Sequence, residues 1–490
     1  MRSCAGRRSI TECLRAAACA CGALAAASLA GCVLKNPPDA AAIRQESMTT
    51  VAVPAEWRAL GAAASSVSAS WLTTFGDDQL TAAVVEAIAH NADLQASVAR
   101  VEQARLYAKL AGARLYPSVE LLARGGGKMS GDQSGLQGGV LSATWEVDVW
   151  GRVRYGRAAA AAEALATQAD FEYARQSLAA QVAKTWFLIT EAELQVQLAR
   201  GTVEENEQMV RLTEARVRIG PGTDEDVYVA RAALGTYLDA VRQIEQARDD
   251  LRRALEILLG RYPAAAIAVS AGMPAQPAAV PGGLPSELLE RRPDVIAAER
   301  RVAAAFNRVH EAKAARLPAI KLTTGVSSIS SELFVLKERD NPIWNLGANL
   351  LAPIFTGGAL KTQVEIRTAE QKAALASYAA VGLRAFNEVE SALAGEIVAR
   401  DREQILAQTL SHNQRALGVV RAQYKVGSTD LRFVTQRQLS LNAAQSALLR
   451  VQAEQRIQRV NLHLALGGSF EPPPPPGPPG VTAVKTSGSH

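Results

Sequence analysis

The sequence predicts a mainly α-helical, internally duplicated chain. Each half supplies two β-strands and a long helical hairpin, and the four strands contribute to a membrane β-barrel that several copies must share. Three observations carry this: markers recurring in the same order in both halves, two Ala-rich helical stretches free of proline, and strands that alternate apolar and polar residues.

The N-terminus is a targeting segment and lies outside the fold. Arg2, Arg7, Arg8 and Arg15 give a basic start, and the apolar run Ala16 to Ala30 is too short to span a bilayer. It ends in Leu29-Ala30-Gly31-Cys32, which looks like a bacterial lipoprotein cleavage box. Residues 1–31 are therefore expected to be a signal peptide, with Cys32 lipidated and first in the mature chain. Val33 follows Cys32 where an inner-membrane retention signal has Asp, so the outer membrane is the expected location, with the chain extending into the periplasm. All five Cys (Cys4, Cys13, Cys19, Cys21, Cys32) lie at or before that point, so the mature chain has neither an internal disulfide nor a thiolate metal site. Residues 32–75 read as an extended, lipid-anchored segment.

The first repeat is placed at residues 76–262 and the second at 286–468, joined by a linker at 263–285. Asp93-Leu94 through Arg100-Val101 to Pro117 matches Asp294-Val295 through Arg301-Val302 to Pro318. Leu141 to Trp150-Gly151 matches Leu346 to Phe355 and the Gly357-Gly358 pair. Ala215 to Gly220 matches Ala422 to Gly427, and Leu258-Leu259-Gly260 matches Leu464 to Gly467.

Each repeat runs helix, two strands, long helix, turn, helix. The first helix is expected at about Asp78 to Leu115. In the strand Leu141 to Val149, Leu141, Ala143, Trp145, Val147 and Val149 face one way, and Ser142, Thr144, Glu146 and Asp148 the other. Its counterpart sets Trp344, Leu346, Ala348, Leu350, Ala352 and Ile354 against Asn345, Gly347 and Asn349, with Leu351 breaking the rule. Weaker strands lie near Val119 to Gly125 and Ile320 to Ser328. Apolar outside and polar inside suits a transmembrane barrel strand, although a half-buried soluble strand has the same alternation. Four strands cannot close a barrel, since the smallest have about eight. Open edges cannot be hydrogen-bonded in lipid, so spanning strands require oligomerisation.

The long helices are expected at about Gly156 to Ile219 and Leu360 to Val426, roughly sixty residues and about 90 Å each. A shorter helix is expected at about Val227 to Leu259. Two short helices end to end match one long one, which suggests a tube wall. Residues 469–490 contain the proline run Pro472 to Pro479 and read as a disordered tail.

Composition narrows the function. The net charge of +5 over 490 residues is small and interspersed, which excludes a nucleic-acid partner. The five His are scattered, with no metal-ligand or nucleophile–base pairing, so neither a catalytic site, a metal nor another cofactor is expected apart from the lipid on Cys32. Gly125-Gly126-Gly127-Lys128 fails as a phosphate loop, because Leu122 replaces its first Gly and Met129 its Ser/Thr.

Four tokens in order give the chain a likeness: Leu289-Glu290-Arg291-Arg292-Pro293-Asp294, Trp145-Glu146-Val147-Asp148-Val149-Trp150-Gly151-Arg152, Pro353-Ile354-Phe355-Thr356-Gly357-Gly358, and Tyr424-Lys425-Val426-Gly427. From Cys32 to Gly468 it resembles the TolC-type outer-membrane efflux proteins, in the lipoprotein branch with OprM and NodT-like factors. The resemblance implies a homotrimer with a twelve-stranded β-barrel in outer-membrane lipid and a periplasmic α-helical barrel closed at its far tip. It implies a passive exit duct for drugs or other small molecules, partnered by a periplasmic adaptor (membrane fusion) protein and an inner-membrane RND-type pump.

In that family the hairpin turns form the gate, here Gly220 to Asp226 and Gly427 to Arg432. Asp226 matches an aspartate lining the constriction, and Tyr424 matches the gate tyrosine. Gln436 stands where relatives commonly have Asp, and Gln423 where OprM has Arg, so the usual locking network is only partly present. Asp224 and Glu225 beside Asp226, with Lys425 and Arg432 on the other turn, offer substitute links. Gly220, Gly222 and Gly427 serve the backbone of the turns. Two alternatives stay open: a type I secretion duct for polypeptides, and a structural periplasmic coiled-coil lipoprotein. The cleavage box and Arg291-Arg292-Pro293-Asp294 point to small-molecule efflux, and the few Met and His weigh against a dedicated copper or silver route.

Overall fold

The computed structural model describes residues 34–49, 51–54, 56–59, 70–124, 137–220, 222–270, 272–278, 285–330 and 343–470. Cys32, the signal segment, the Gly125–Lys128 stretch and the proline run lie outside them. The helices are α1 (Ala40–Ser47), α2 (Asp78–His90), α3 (Ala92–Ala113), α4 (Arg152–Arg218), α5 (Asp224–Leu258), α6 (Pro285–Arg291), α7 (Pro293–Ala314), α8 (Ala359–Lys425) and α9 (Leu431–Ala465). The strands are β1 (Ser118–Arg124), β2 (Gln137–Val147), β3 (Ala319–Ser330) and β4 (Ile343–Leu351). No helix among the described residues is long and apolar enough to cross a membrane.

The chain divides into two compact units. The first holds the described parts of Met1–Thr50, Arg100–Gln168 and Ala297–Ala379. Its sheet runs β1-β2-β3-β4, antiparallel throughout. Residues directly opposite share a face, so the register sorts the sheet. Val119 and Leu121 meet Ala143 and Leu141 on one face. That face continues through Trp145 opposite Leu322, Val326 opposite Trp344, and Leu350 opposite Ile320. The other face aligns Glu120, Ser142, Gly325 and Asn345 in one row, and Glu146, Lys321 and Asn349 in another. Leu122, Val140 and Leu351 depart from this sorting. The apolar face is uncovered in the single chain, with Leu121 73% and Leu346 85% exposed.

β2 stops two residues before the expected Val149, because Asp148 turns to cap α4. Its carboxylate accepts from the backbone N–H of Val153 and Arg154 at 3.0 and 2.8 Å. Gly151 makes the turn with φ +76°, and a Cβ there would sit 2.8 Å from Leu34 Cδ2. The indoles of Trp145 and Trp150 donate to the carbonyls of Leu115 and Pro318, the equivalent helix-to-strand connectors of the two repeats. β4 ends at Leu351 rather than Ile354, where Pro353 removes a ladder donor.

The second unit holds the described parts of Val51–Ala99, Ala169–Ile296 and Ala380–His490. The helix expected from Asp78 to Leu115 is broken at Asn91, whose backbone is extended. The buried Asn91 side chain accepts from Leu94 N–H at 3.0 Å and donates to the Leu258 carbonyl at 3.0 Å, which replaces the helical bonding lost there. One core gathers Trp71, Phe75, Leu80, Trp186, Phe187 and Leu255. Beside it Asp77 caps α2 through Leu80 N–H and accepts from Trp186 Nε1 and Ser270 Oγ.

The segment after α5 is fastened by buried charges. The Glu256 carboxylate accepts from the N–H groups of Ala265, Ala266 and Ile267, which holds Ala265 at φ +56°. Arg456 donates to the Pro274 carbonyl, and Arg459 to the carbonyls of Pro277 and Ala278 and to Glu396. Arg292, 1% exposed, makes a bidentate pair with Asp294 and reaches Glu388 and the Ala465 carbonyl. The Arg-Pro-Asp token therefore anchors packing. α5 and α9 end alike: Gly260 and Arg261 N–H bond back to Ile257 and Glu256, and Gly467 and Gly468 to Leu464 and His463.

Candidate functional site

The candidate site comprises the two hairpin turns and the helix ends around them, all in the second unit. Between α4 and α5, Gly220 takes φ +101°, and a Cβ on Gly222 would lie 2.9 Å from Val217 N. Both positions therefore need glycine. α5 begins three residues before the expected Val227, because Thr223 and Asp226 form a reciprocal capping box. Asp226 N–H donates to Thr223 Oγ1 at 3.2 Å, while Asp226 Oδ2 accepts from Thr223 N–H at 3.2 Å and from its hydroxyl at 2.9 Å. Asp224 and Glu225 stand exposed in the first turn of α5, at the positive end of its dipole.

Between α8 and α9, Gly427 takes φ +80°, and its N–H bonds to Tyr424 O while Ser428 N–H bonds to Gln423 O. That pattern closes the helix on a left-handed residue. Asp430 caps α9 through Arg432 N–H at 2.9 Å and pairs with the Arg432 guanidinium at 3.3 Å. Gln423, Lys425 and Gln436 are exposed.

Tyr424 is 3% exposed and packs with Val210, Leu417, Leu431 and Val434. Its hydroxyl lies 3.3 Å from Thr213 Oγ1 on α4. The Arg216 guanidinium sits over the Tyr424 ring, 4.4 Å from its centre, and donates to the Tyr424 carbonyl. Above this, Arg421 donates to Glu205 and to Gln438, both at 2.6 Å. Gln438 donates to Asn442 at 3.0 Å, and Thr202 reaches Asn442 at 3.4 Å. A polar ladder thus ties α4 to α8 and α9 and holds the two hairpins together at their ends.

Among the expected residues, Tyr424 meets a basic partner across hairpins. Asp226 and Arg432 are engaged within their own turns. No hydrogen bond or ion pair among the described residues joins Asp224, Glu225 or Asp226 to Lys425 or Arg432 in one chain. Sequence reasoning missed Thr213, Arg216, Glu205, Arg421 and Gln438. The signal for Arg216 was present in the duplication, where Ala215 to Gly220 aligns with Ala422 to Gly427 and sets Arg216 at the position of Gln423. The arginine absent from one hairpin is supplied by the other. Chemically the arrangement is a latch, in which a cation on α4 holds an aromatic ring and a helix-terminal carbonyl on α8.

A sequence model of the family described as "Outer membrane efflux protein" matches residues 83–261 and 284–468. The chain is 33% identical over 445 residues to the pyoverdine export outer membrane protein OpmQ of Pseudomonas aeruginosa, covering 86% of this chain and 92% of that protein. It is 28% identical over 410 residues to the cation efflux system protein CusC of Escherichia coli K12, covering 82% and 89%. The solved open state of the Neisseria gonorrhoeae MtrE outer membrane channel superposes with a TM-score of 0.76 at 26% identity, covering 90% of this chain and 98% of that one.

Proposed function

The chain belongs to the outer membrane efflux protein family, and from that premise we propose that it is the outer-membrane exit channel of a tripartite efflux pump, gated where its hairpins turn. The observation that carries the reading is the sheet of the first unit. It has one apolar and one polar face, and among the described residues β1 and β4 each keep an unpaired edge. In hydrocarbon those edges need partners, and the remedy is β1 of one copy beside β4 of the next. Three copies of four strands give a twelve-stranded barrel with its polar face lining water, which follows the family resemblance. A lipid on Cys32 adds a second hold on the outer membrane. The hairpin turns then face a periplasmic adaptor and an inner-membrane pump, which supplies the energy. OpmQ is named for pyoverdine export and CusC for a cation efflux system, and this chain conducts small molecules passively.

Cys32 is the only Cys of the expected mature chain, so engineered thiols are clean probes of the edges. With Leu121→Cys on β1 and Ala348→Cys on β4, a flexible bis-maleimide applied to membranes is expected to give dimer and trimer bands and nothing larger. Monomer only, or an open ladder of higher bands, contradicts the shared barrel.

A further inference from the structure

The first unit contains a cavity of about 280 Å³ where strands give way to helices. It lies between the end of α3, the start of α4 and α7, with Arg114 four residues before β1 and Arg152 five residues after β2. Four arginines line it, Arg114, Arg152, Arg157 and Arg308, against one carboxylate, Glu311. Two of the four are answered elsewhere. Arg152 makes a bidentate pair with Glu146 at 2.9 and 2.7 Å, and Arg308 pairs with Glu163 at 3.1 Å. Arg114 and Arg157 have no hydrogen-bond or ion-pair partner among the described residues. Beside them stand Tyr107 and Leu110, 60% and 63% exposed, over a floor that includes the buried Val153 and Ala159.

A solvated surface arginine usually contributes little. Here two unanswered guanidiniums share a concave site with an aromatic ring and apolar walls, which concentrates the field and matches the planar fork of a carboxylate or phosphate. The volume falls just below the usual range for small-molecule pockets, which suits a small anion. The pair to Glu146 links the cavity to the polar face of the sheet, where Glu146 shares a row with Lys321 and Asn349. In a barrel that face lines the water-filled interior.

We propose that this cavity is a lumenal station for organic anions, in which Arg114 and Arg157 hold a carboxylate or phosphate and Tyr107 and Leu110 take the apolar body attached to it. It rests on the channel reading, through which each copy contributes one station to a basic ring just below the barrel. The ring draws anionic cargo from the helical tube towards the exit and disfavours small cations.

The test uses full-length protein purified in detergent, titrated with 1-naphthoate and with the neutral 1-naphthalenemethanol, alongside reversal potentials in planar bilayers under a KCl gradient. Wild type is expected to bind naphthoate and not the alcohol. Arg114→Gln/Arg157→Gln is expected to weaken naphthoate binding about tenfold or more and to shift the reversal potential towards cation selectivity. Arg114→Lys/Arg157→Lys is expected to restore the reversal potential, and the mass in detergent shows that each variant assembles as wild type does. Equal naphthoate affinity in wild type and the Gln variant, or inorganic phosphate binding as tightly as naphthoate, overturns the proposal. The two readings fail separately: conduction with arginine-independent binding removes the station alone, whereas arginine-dependent binding without conduction keeps the site and removes the duct.

Discussion

Arg216 is the residue at which the proposed gate is most directly tested. It touches the Tyr424 ring with its guanidinium and the Tyr424 carbonyl with a donor, so Arg216→Ala removes both holds at once. This variant is expected to raise single-channel conductance and sensitivity to bulky antibiotics. Tyr424→Phe, which gives up only the 3.3 Å contact to Thr213, is expected to do so weakly. Equal conductance in Arg216→Ala and wild type would remove Arg216 from the gate. Asp226 has two separable roles, cap and charge. Asp226→Ala is expected to raise conductance and antibiotic sensitivity. Asp226→Asn keeps an acceptor for the Thr223 N–H and loses only the charge, so opening by both variants assigns the effect to the carboxylate, and opening by Ala alone assigns it to the cap. His463 supplies a pH dependence. Burial, and secondarily Arg459, push its pKa down from 6.5 to about 3, and its ring stacks on Trp71 at 5.7 Å. Its folded pKa lies below the unfolded one, so its contribution to stability is intact above about pH 6.5 and is lost as pH falls towards 3. Thermal unfolding in detergent across that range is expected to show a falling midpoint that His463→Phe flattens. An identical slope in the two proteins would assign the acid sensitivity to other groups.

At the scale of elements, the clearest lesson lies in how helices start and stop. Asp148→Ala leaves two N–H groups at the start of α4 unsatisfied and is expected to cost about 1–2 kcal/mol, read as a lowered unfolding midpoint, with no change meaning that water replaces the cap. The strands were legible because period-two alternation depends only on which face is apolar, and the register then matched Trp145 to Leu322 and Val326 to Trp344. The long helices were legible because their Ala-rich, proline-free runs leave no competing local structure, and both came within a few residues of their expected ends. The break at Asn91 was not, since its cause is the Leu258 carbonyl, 167 residues away. The role of Arg292 was hidden for the same reason. The token was visible, but Glu388 and Ala465 become its neighbours only once the second repeat has folded back. Of the candidate site, the turns and their glycines were readable from the duplication and Tyr424 only from the family resemblance, whereas Thr213, Glu205 and Gln438 carry no local signature and are brought in by packing of α4 against the second hairpin.

For the whole molecule, the physics of the sheet and the membership of the family point the same way. A sheet with four strands, an uncovered apolar face and two open edges among the described residues is incomplete alone, and the proposed sharing of one barrel between copies completes it as a pore. On the proposed gate, the contacts that join the two hairpins within each chain, Arg216 to Tyr424 and Arg421 to Glu205, are the ones that hold such a pore closed. The most direct test is single-channel conductance of the detergent-extracted mature protein in planar bilayers, with its mass in detergent measured on the same sample. A trimeric mass, a small and mostly closed conductance, and a larger one with Arg216→Ala are the predicted results. A monomer that never conducts, even with its hairpin turns altered, would contradict the channel and leave a periplasmic coiled-coil lipoprotein in its place.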